Sequence, residues 1–183
     1  MRIIVGLTGA SGAIFGVDFI RRCPAEKYLV ATKWGRMVLK EETGLSEHHL
    51  AEHVKKTFAD EDLAAPFSSG SNPFDAMVII PCSVSTMAKI AAGIGDTLVT
   101  RTAQVAMKER RKLVLCVRET PLSTIALEQM HRLSQAGVII MPIAPPFYHK
   151  PQSIEDLASH FTDKVLGILG FEPALAWKPD ALE

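Results

Sequence analysis

Lys108-Glu109-Arg110-Arg111-Lys112-Leu113-Val114-Leu115-Cys116-Val117-Arg118-Glu119-Thr120-Pro121-Leu122-Ser123 joins a helix end, a strand and the start of a further helix. A charged helix end runs into residues 113–117, an apolar run of the length of one buried strand. Arg118 and Glu119 stand where that strand stops, and Pro121 and Ser123 announce a new helix. In an open parallel sheet, ligands bind outside the carboxyl ends of the strands. An Arg–Glu pair at such an end therefore suggests a polar site. A strand-end ion pair accounts for the two residues equally well.

Strand, turn and helix recur on both sides of this stretch. Residues 2–7 read as a buried first strand, followed by Thr8-Gly9-Ala10-Ser11-Gly12. Ile14, Val17, Phe19 and Ile20 then give residues 12–22 a helical period. A Gly- and Ser-bearing turn before a helix N-terminus suits an anion or a cofactor, although tight strand–helix packing explains the same glycines. Glycines at 6, 9, 12 and 16 fit neither the dinucleotide fingerprint nor the Walker loop. A second strand over 27–31 ends in Thr32-Lys33, with no acidic residue for a ribose, which argues against NAD. Helices are expected over 34–43, where Glu41-Glu42-Thr43 precedes a capping Gly44, and over 46–57. His49 and His53 are read on a solvated face of the latter rather than as metal ligands. Residues 59–73 read as a turn-rich loop.

Residues 76–80 are expected to form a third strand, with Pro81-Cys82-Ser83-Val84-Ser85-Thr86 at its carboxyl end, before a helix over 85–92. The hydroxyls of Ser83, Ser85 and Thr86 again suit a phosphate or a polar ring edge. Cys82, with no His near it in sequence, reads as a small buried thiol. The helix over 97–111 carries Arg101 in its first turns, where a positive charge opposes the helix dipole, so Arg101 is a candidate for an anion partner. A helix over 123–136 and a strand over 138–141 follow the opening stretch. The prolines of 142–151 make a stiff loop that presents Phe147, Tyr148 and His149, and a last helix over 154–169 carries Lys164. Five strands alternating with helices predict an α/β three-layer sheet.

The 183 residues suffice for one domain, 1–183, with a tail from about 171. Lys+Arg and Asp+Glu are equal at 20 each, which gives no support for a nucleic-acid or membrane-surface partner. Cys23, Cys82 and Cys116 are odd in number and lack metal-site spacing, so neither a disulfide framework nor a metal site is expected, and a cytoplasmic setting fits. No apolar run approaches the roughly 18 residues of a membrane span.

Four segments stand in order along nearly the whole chain: Gly9-Ala10-Ser11-Gly12-Ala13, Pro81 through Thr86, the block from Arg101 through Lys108-Glu109-Arg110-Arg111 to Arg118-Glu119-Thr120-Pro121-Leu122-Ser123, and Pro146-Phe147-Tyr148-His149-Lys150-Pro151-Gln152-Ser153. On these segments the chain resembles the UbiX-type flavin prenyltransferases, formerly described as phenylacrylic acid or polyprenyl-hydroxybenzoate decarboxylases. The resemblance implies a Rossmann-like or flavodoxin-like sheet, mostly parallel, with helices on both faces. It implies FMN as cofactor, no metal, and transfer of a dimethylallyl group from dimethylallyl phosphate to N5 and C6 of reduced FMN. The prenylated FMN would serve a UbiD-type decarboxylase. It also implies a homo-oligomer, a dodecamer in the family, with FMN at subunit contacts.

By position, the resemblance implies that Gly9, Ala10, Ser11, Thr32, Ser83, Val84, Ser85, Thr86, Arg101 and Arg118 hold FMN. It implies that Tyr148 and Lys164 bind the prenyl phosphate, with Lys108, Arg118 and Glu119 lining the same pocket, and that Lys164 stands where some members have Arg. Cations and a phenol there stabilise the departing phosphate, while Glu119 either relays a proton or orients Arg118. Ser11 and Glu42 are expected to remove protons from the flavin as C6 is alkylated. Trp177 would present a π face to the prenyl group. Two other readings fit the sequence less well. FMN-dependent cysteine decarboxylases use a His early in the chain, and none precedes His48 here. A non-catalytic flavin scaffold would not need charges at 108, 118, 119 and 164.

Overall fold

In the computed structural model, which describes residues 1–174, the strands are β1 (Arg2–Leu7), β2 (Glu26–Ala31), β3 (Lys56–Ala59), β4 (Ala76–Cys82), β5 (Lys112–Val117) and β6 (Ile139–Ile140). They form one sheet in the order β3-β2-β1-β4-β5-β6, every pair parallel. The helices are α1 (Ala13–Arg22), α2 (Lys33–Thr43), α3 (Glu47–Leu50), α4 (Val84–Ala91), α5 (Leu98–Lys108), α6 (Thr124–Gln135) and α7 (Ile154–Leu169).

The alternation of side chains along each strand builds two cores. Ile4, Met77, Ile79, Leu113, Leu115 and Val117 face α4, α5 and α6, where Met87, Val99, Val105 and Leu133 complete the packing. Ile3, Val5, Leu7, Val78, Ile80, Val114 and Cys116 face the other way, against Phe19 and Ile20 of α1, Leu39 of α2, and Phe161 and Val165 of α7. A strand buried on both faces reads as a continuous apolar run, which is why β1, β4 and β5 are legible in the sequence.

One strand is not. The expected helix over 46–57 ends early: α3 stops at Leu50, a 3-10 turn covers Ala51–His53, and Lys56–Ala59 pairs with β2 as a sixth, edge strand. The free edge of β2 offers a full row of backbone partners, and Phe58 buries its ring beside Tyr28 and Phe67 at centroid distances of 6.3 and 5.3 Å. Pairing and ring burial there outweigh the local helical pattern. The last strand is shorter than the expected 138–141, yet the ladder continues beyond it through Met141 N–H to Leu115 O and Ile143 N–H to Val117 O.

The crossovers from β1 run to β2 on one side and, through the later strands, to β4 on the other. The order therefore reverses between β1 and β4, and a crevice opens at their carboxyl ends. No helix among the described residues is long and apolar enough to cross a membrane.

Candidate active site

The crevice is built by three loops drawn close together. Gly16 lets α1 lie on β4: a Cβ there would stand 2.5 Å from Ile80 O. At Gly35 an added Cβ would collide with Leu7 O, so α2 starts hard against the end of β1. Thr8 Oγ1 donates to Pro81 O at 2.8 Å and accepts from Ser83 N–H at 2.8 Å, which ties the β1–α1 turn to the β4–α4 loop. Arg118 N–H reaches Cys82 O at 3.2 Å and adds the loop after β5.

A cavity of about 510 Å³ opens there, lined by Gly9, Thr32, Ser83, Ser85 and Thr86 together with Lys33, Trp34, Asp60, Glu61, Lys89, Thr97, Val99 and Thr100. Thr32 caps α2 by accepting from Gly35 N–H at 3.0 Å, and Ser83 caps α4 by accepting from Thr86 N–H at 3.2 Å. Two helix N-termini, several hydroxyls and a glycine turn form a donor set that fits a phosphorylated, polyhydroxylated cofactor such as FMN. The cysteine at the head of the β4–α4 loop takes no part: Cys82 is fully buried, and burial pushes its thiol up to about 12.

Beside the cavity, Gly12 adopts a left-handed conformation (φ 101°) and gives α1 no side-chain cap. Glu42, from the last turn of α2, supplies it instead. Its Oε2 accepts from Gly12 N–H at 2.9 Å and Ala13 N–H at 2.8 Å. Burial resists ionisation of this carboxyl, but the Ser11 hydroxyl, the two N–H donors and the charge of Arg118 prevail and hold it below the ordinary carboxylate range. Ser11, Glu42 and Arg118 thus converge at the carboxyl ends of β1 and β5.

Glu119 does not join them. It is exposed, its Oε1 accepts from Thr120 N–H at 2.9 Å, and among the described residues it makes no ion pair with Arg118. No strand-end ion pair forms between the two among the described residues: adjacent residues at a strand end project apart, and the charge of Arg118 is felt at Glu42.

Tyr148 and Lys164 meet at a second cavity, about 790 Å³, between β6 with its following loop and α7. Its walls are mostly apolar (Ile139, Met141, Pro146, Phe161), with His149, His160 and Asp163 as further polar groups. The Tyr148 ring lies 4.3 Å from that of His149. Asp163 is buried and takes Arg22 of α1 at 2.5 Å.

Two expected site residues lie elsewhere in the chain. Lys108 ends α5, pairs with Glu109 and abuts Gly70, ahead of β5, whereas Arg118 follows β5. A six-residue strand spans about 20 Å, so the two residues stand at opposite ends of β5. Arg101 is exposed on α5, with Nε donating to Ser68 O at 3.0 Å, and it does not line the cavity that Thr97, Val99 and Thr100 of the same segment line. Trp177 lies outside the described residues. The sequence reading missed Lys33, Trp34, Asp60 and Glu61. Lys33-Trp34 carried a signal, since they directly follow Thr32. Asp60 became visible only once 56–59 proved to be a strand with Asp60 at its carboxyl end.

Residues 1–166 match the family described as Flavoprotein. The chain is 44% identical over 171 residues to the flavin prenyltransferase UbiX of Thermoplasma acidophilum, covering 93% of this chain and 95% of that one. The fold is shared with the dodecameric FMN-dependent UbiX-like decarboxylase of Escherichia coli O157:H7 (TM-score 0.93, 42% identity, 97% of this chain and 99% of the other). It is also shared with AnUbiX (PadA1), solved in complex with FMN and dimethylallyl pyrophosphate (TM-score 0.90, 40% identity, 97% and 98%).

Proposed function

Because this chain belongs to the UbiX-type flavin prenyltransferases of the Flavoprotein family, we propose that it transfers a dimethylallyl group from dimethylallyl phosphate to N5 and C6 of reduced FMN, and that the prenylated FMN is handed to a UbiD-type decarboxylase. The observation that carries this reading is the convergence of Ser11, Glu42 and Arg118 beside a hydroxyl-lined cavity at the switch point of the sheet.

FMN, when bound, supplies the reduced ring whose N5 and C6 accept the prenyl group. Gly9, Ala10, Ser11, Thr32 and Ser83 through Thr86 are the residues of this chain that would hold it. Glu42, kept ionised by Ser11, the α1 N–H groups and Arg118, is a base ready at neutral pH. Ser11, whose hydroxyl acts on that carboxylate, would pass it a proton from the ring. Tyr148 donates a hydrogen bond to the leaving phosphate and Lys164 opposes its charge, as a point charge rather than the bidentate fork of an Arg.

Lys108 and Arg101 enter this scheme from a neighbouring copy. Each lies away from the site of its own chain, each is exposed, and a relative with 42% identity is dodecameric. A site at a subunit contact gathers cations that no single sheet places together, and this supports Lys108 of one copy facing Arg118 of another. Glu119, exposed beside Arg118, is then available to a partner's cation rather than to its own neighbour. Trp177 would cover the prenyl group.

The deciding experiment incubates the protein with reduced FMN and dimethylallyl monophosphate and weighs the released flavin. A gain of one prenyl unit is expected. An unchanged flavin mass from protein that has bound FMN would overturn the assignment.

A further inference from the structure

We propose that Lys33 is the cation that pairs with the FMN phosphate, held at the mouth of the cavity by the face of Trp34; this rests on the reading of that cavity as the flavin site. A phosphate carries more charge than a helix N-terminus balances, so the cavity needs a cation of its own. Four ionisable side chains line it: Lys33, Lys89, Asp60 and Glu61.

Three of these are already committed. Lys89 Nζ sits 2.7 Å from Asp96. Glu61 lies 3.7 Å from the Arg36 guanidinium. Asp60 Oδ1 accepts from Val99 N–H at 2.9 Å at the start of α5. Lys33 makes no hydrogen bond or ion pair with the described residues, and its ammonium lies 5.4 Å from the centroid of the Trp34 ring. A cation kept over an aromatic face is positioned without being neutralised.

The backbone adds to this. Lys33 is the first residue of α2, and the Thr32 cap engages Gly35 N–H. The N–H groups of Lys33 and Trp34 find no acceptor among the described residues and point out of the helix start. Trp34 also fixes the distance to the first turn, because a Cβ at Gly9 would stand 2.5 Å from Trp34 Cβ. The glycine turn and the start of α2 therefore close on one volume, with the Lys33 ammonium at its rim. Asp60 and Glu61, also in the lining, disfavour a phosphate beside them and suit the hydroxyls of the ribityl chain.

The test strips the full-length protein of flavin and titrates FMN and riboflavin by flavin fluorescence against wild type, Lys33→Met and Lys33→Arg. Lys33 is exposed, so neither variant disturbs the core. Lys33→Met should weaken FMN binding about 10- to 100-fold and leave riboflavin affinity within about twofold of wild type. Its FMN affinity should also lose part of its salt dependence, and Lys33→Arg should restore FMN affinity. Equal FMN affinity in Lys33→Met and wild type overturns the pairing, as does a parallel loss for FMN and riboflavin. Wild-type protein that binds neither flavin overturns the flavin reading itself.

Discussion

At the scale of the residue, Glu42 shows how one side chain serves fold and chemistry together. It caps a helix that has no cap of its own, and the same bonds keep it ionised. Glu42→Gln retains an acceptor for the α1 N–H groups but removes the base. Single-turnover prenylation should fall about 100-fold or more, with FMN affinity little changed. Undiminished turnover would remove Glu42 from the proton path. The lowered carboxyl also has a consequence for stability. A carboxyl depressed in the folded state stabilises above its unfolded value and loses that contribution as pH falls through the folded one. Wild type should therefore exceed Glu42→Gln in Tm at neutral pH, and the gap should close on acidification below the ordinary value of 4.5. A gap independent of pH would show that the charge is not what stabilises the cap. Glu42 was legible in the sequence only through the family pattern, because a Glu pair at a helix end is by default solvated. Its bonds to residues thirty positions earlier exist only once α2 lies across the start of α1.

At the scale of the element, β3 and the start of α5 are the part of the fold that local pattern does not reveal. An edge strand of four residues carries little hydrophobic signal, and it forms because β2 needs a partner. The strand delivers Asp60 to the N-terminus of α5, where it accepts from Val99 N–H. Here burial dominates and raises the carboxyl, against the bonds from Val99 and Thr97, with Glu61 adding to the rise and Arg36 opposing it. A carboxyl raised by folding is most stabilising below its unfolded value, and that stability is lost as pH rises through the folded one. Asp60→Asn keeps an acceptor for Val99 N–H and never ionises. It should melt above wild type at neutral pH and match it near pH 4, about the intrinsic carboxylate value. A variant that melts lower at every pH would mean that the charge at the α5 N-terminus outweighs its burial. Asp60→Ala, which leaves Val99 N–H buried and unpaired, should cost about 1–3 kcal/mol in chemical denaturation.

At the scale of the whole molecule, Lys108 and Arg118 lie at opposite ends of β5, so the proposed site that uses both would be completed by assembly. Lys108→Ala and Arg118→Ala should each suppress prenylation while FMN still binds. Co-assembled from the two variants, a mixed oligomer contains some sites with both cations intact and should regain part of the activity. No recovery from a verified mixed oligomer would place both residues at the site of a single chain, or remove one of them from it. By light scattering the protein should behave as an assembly many times its 20.0 kDa chain. A monomer that retains full activity would exclude the shared site. The sheet class, five of the six strands and the order of the loops that meet at the switch point follow from local sequence, because strands buried on both faces and Gly/Ser turns are written in contiguous residues. Its motifs also pointed to Ser11, Glu42 and Arg118 as site residues. Chain packing, by contrast, brings Ser11 and the charge of Arg118 to bear on Glu42, leaves Glu119 exposed beside Thr120, and exposes Lys108 and Arg101. The physical reason is that a residue's neighbours in space depend on which strand ends and helix starts are packed together. That packing is set by burial summed over the whole chain, not by any stretch of it.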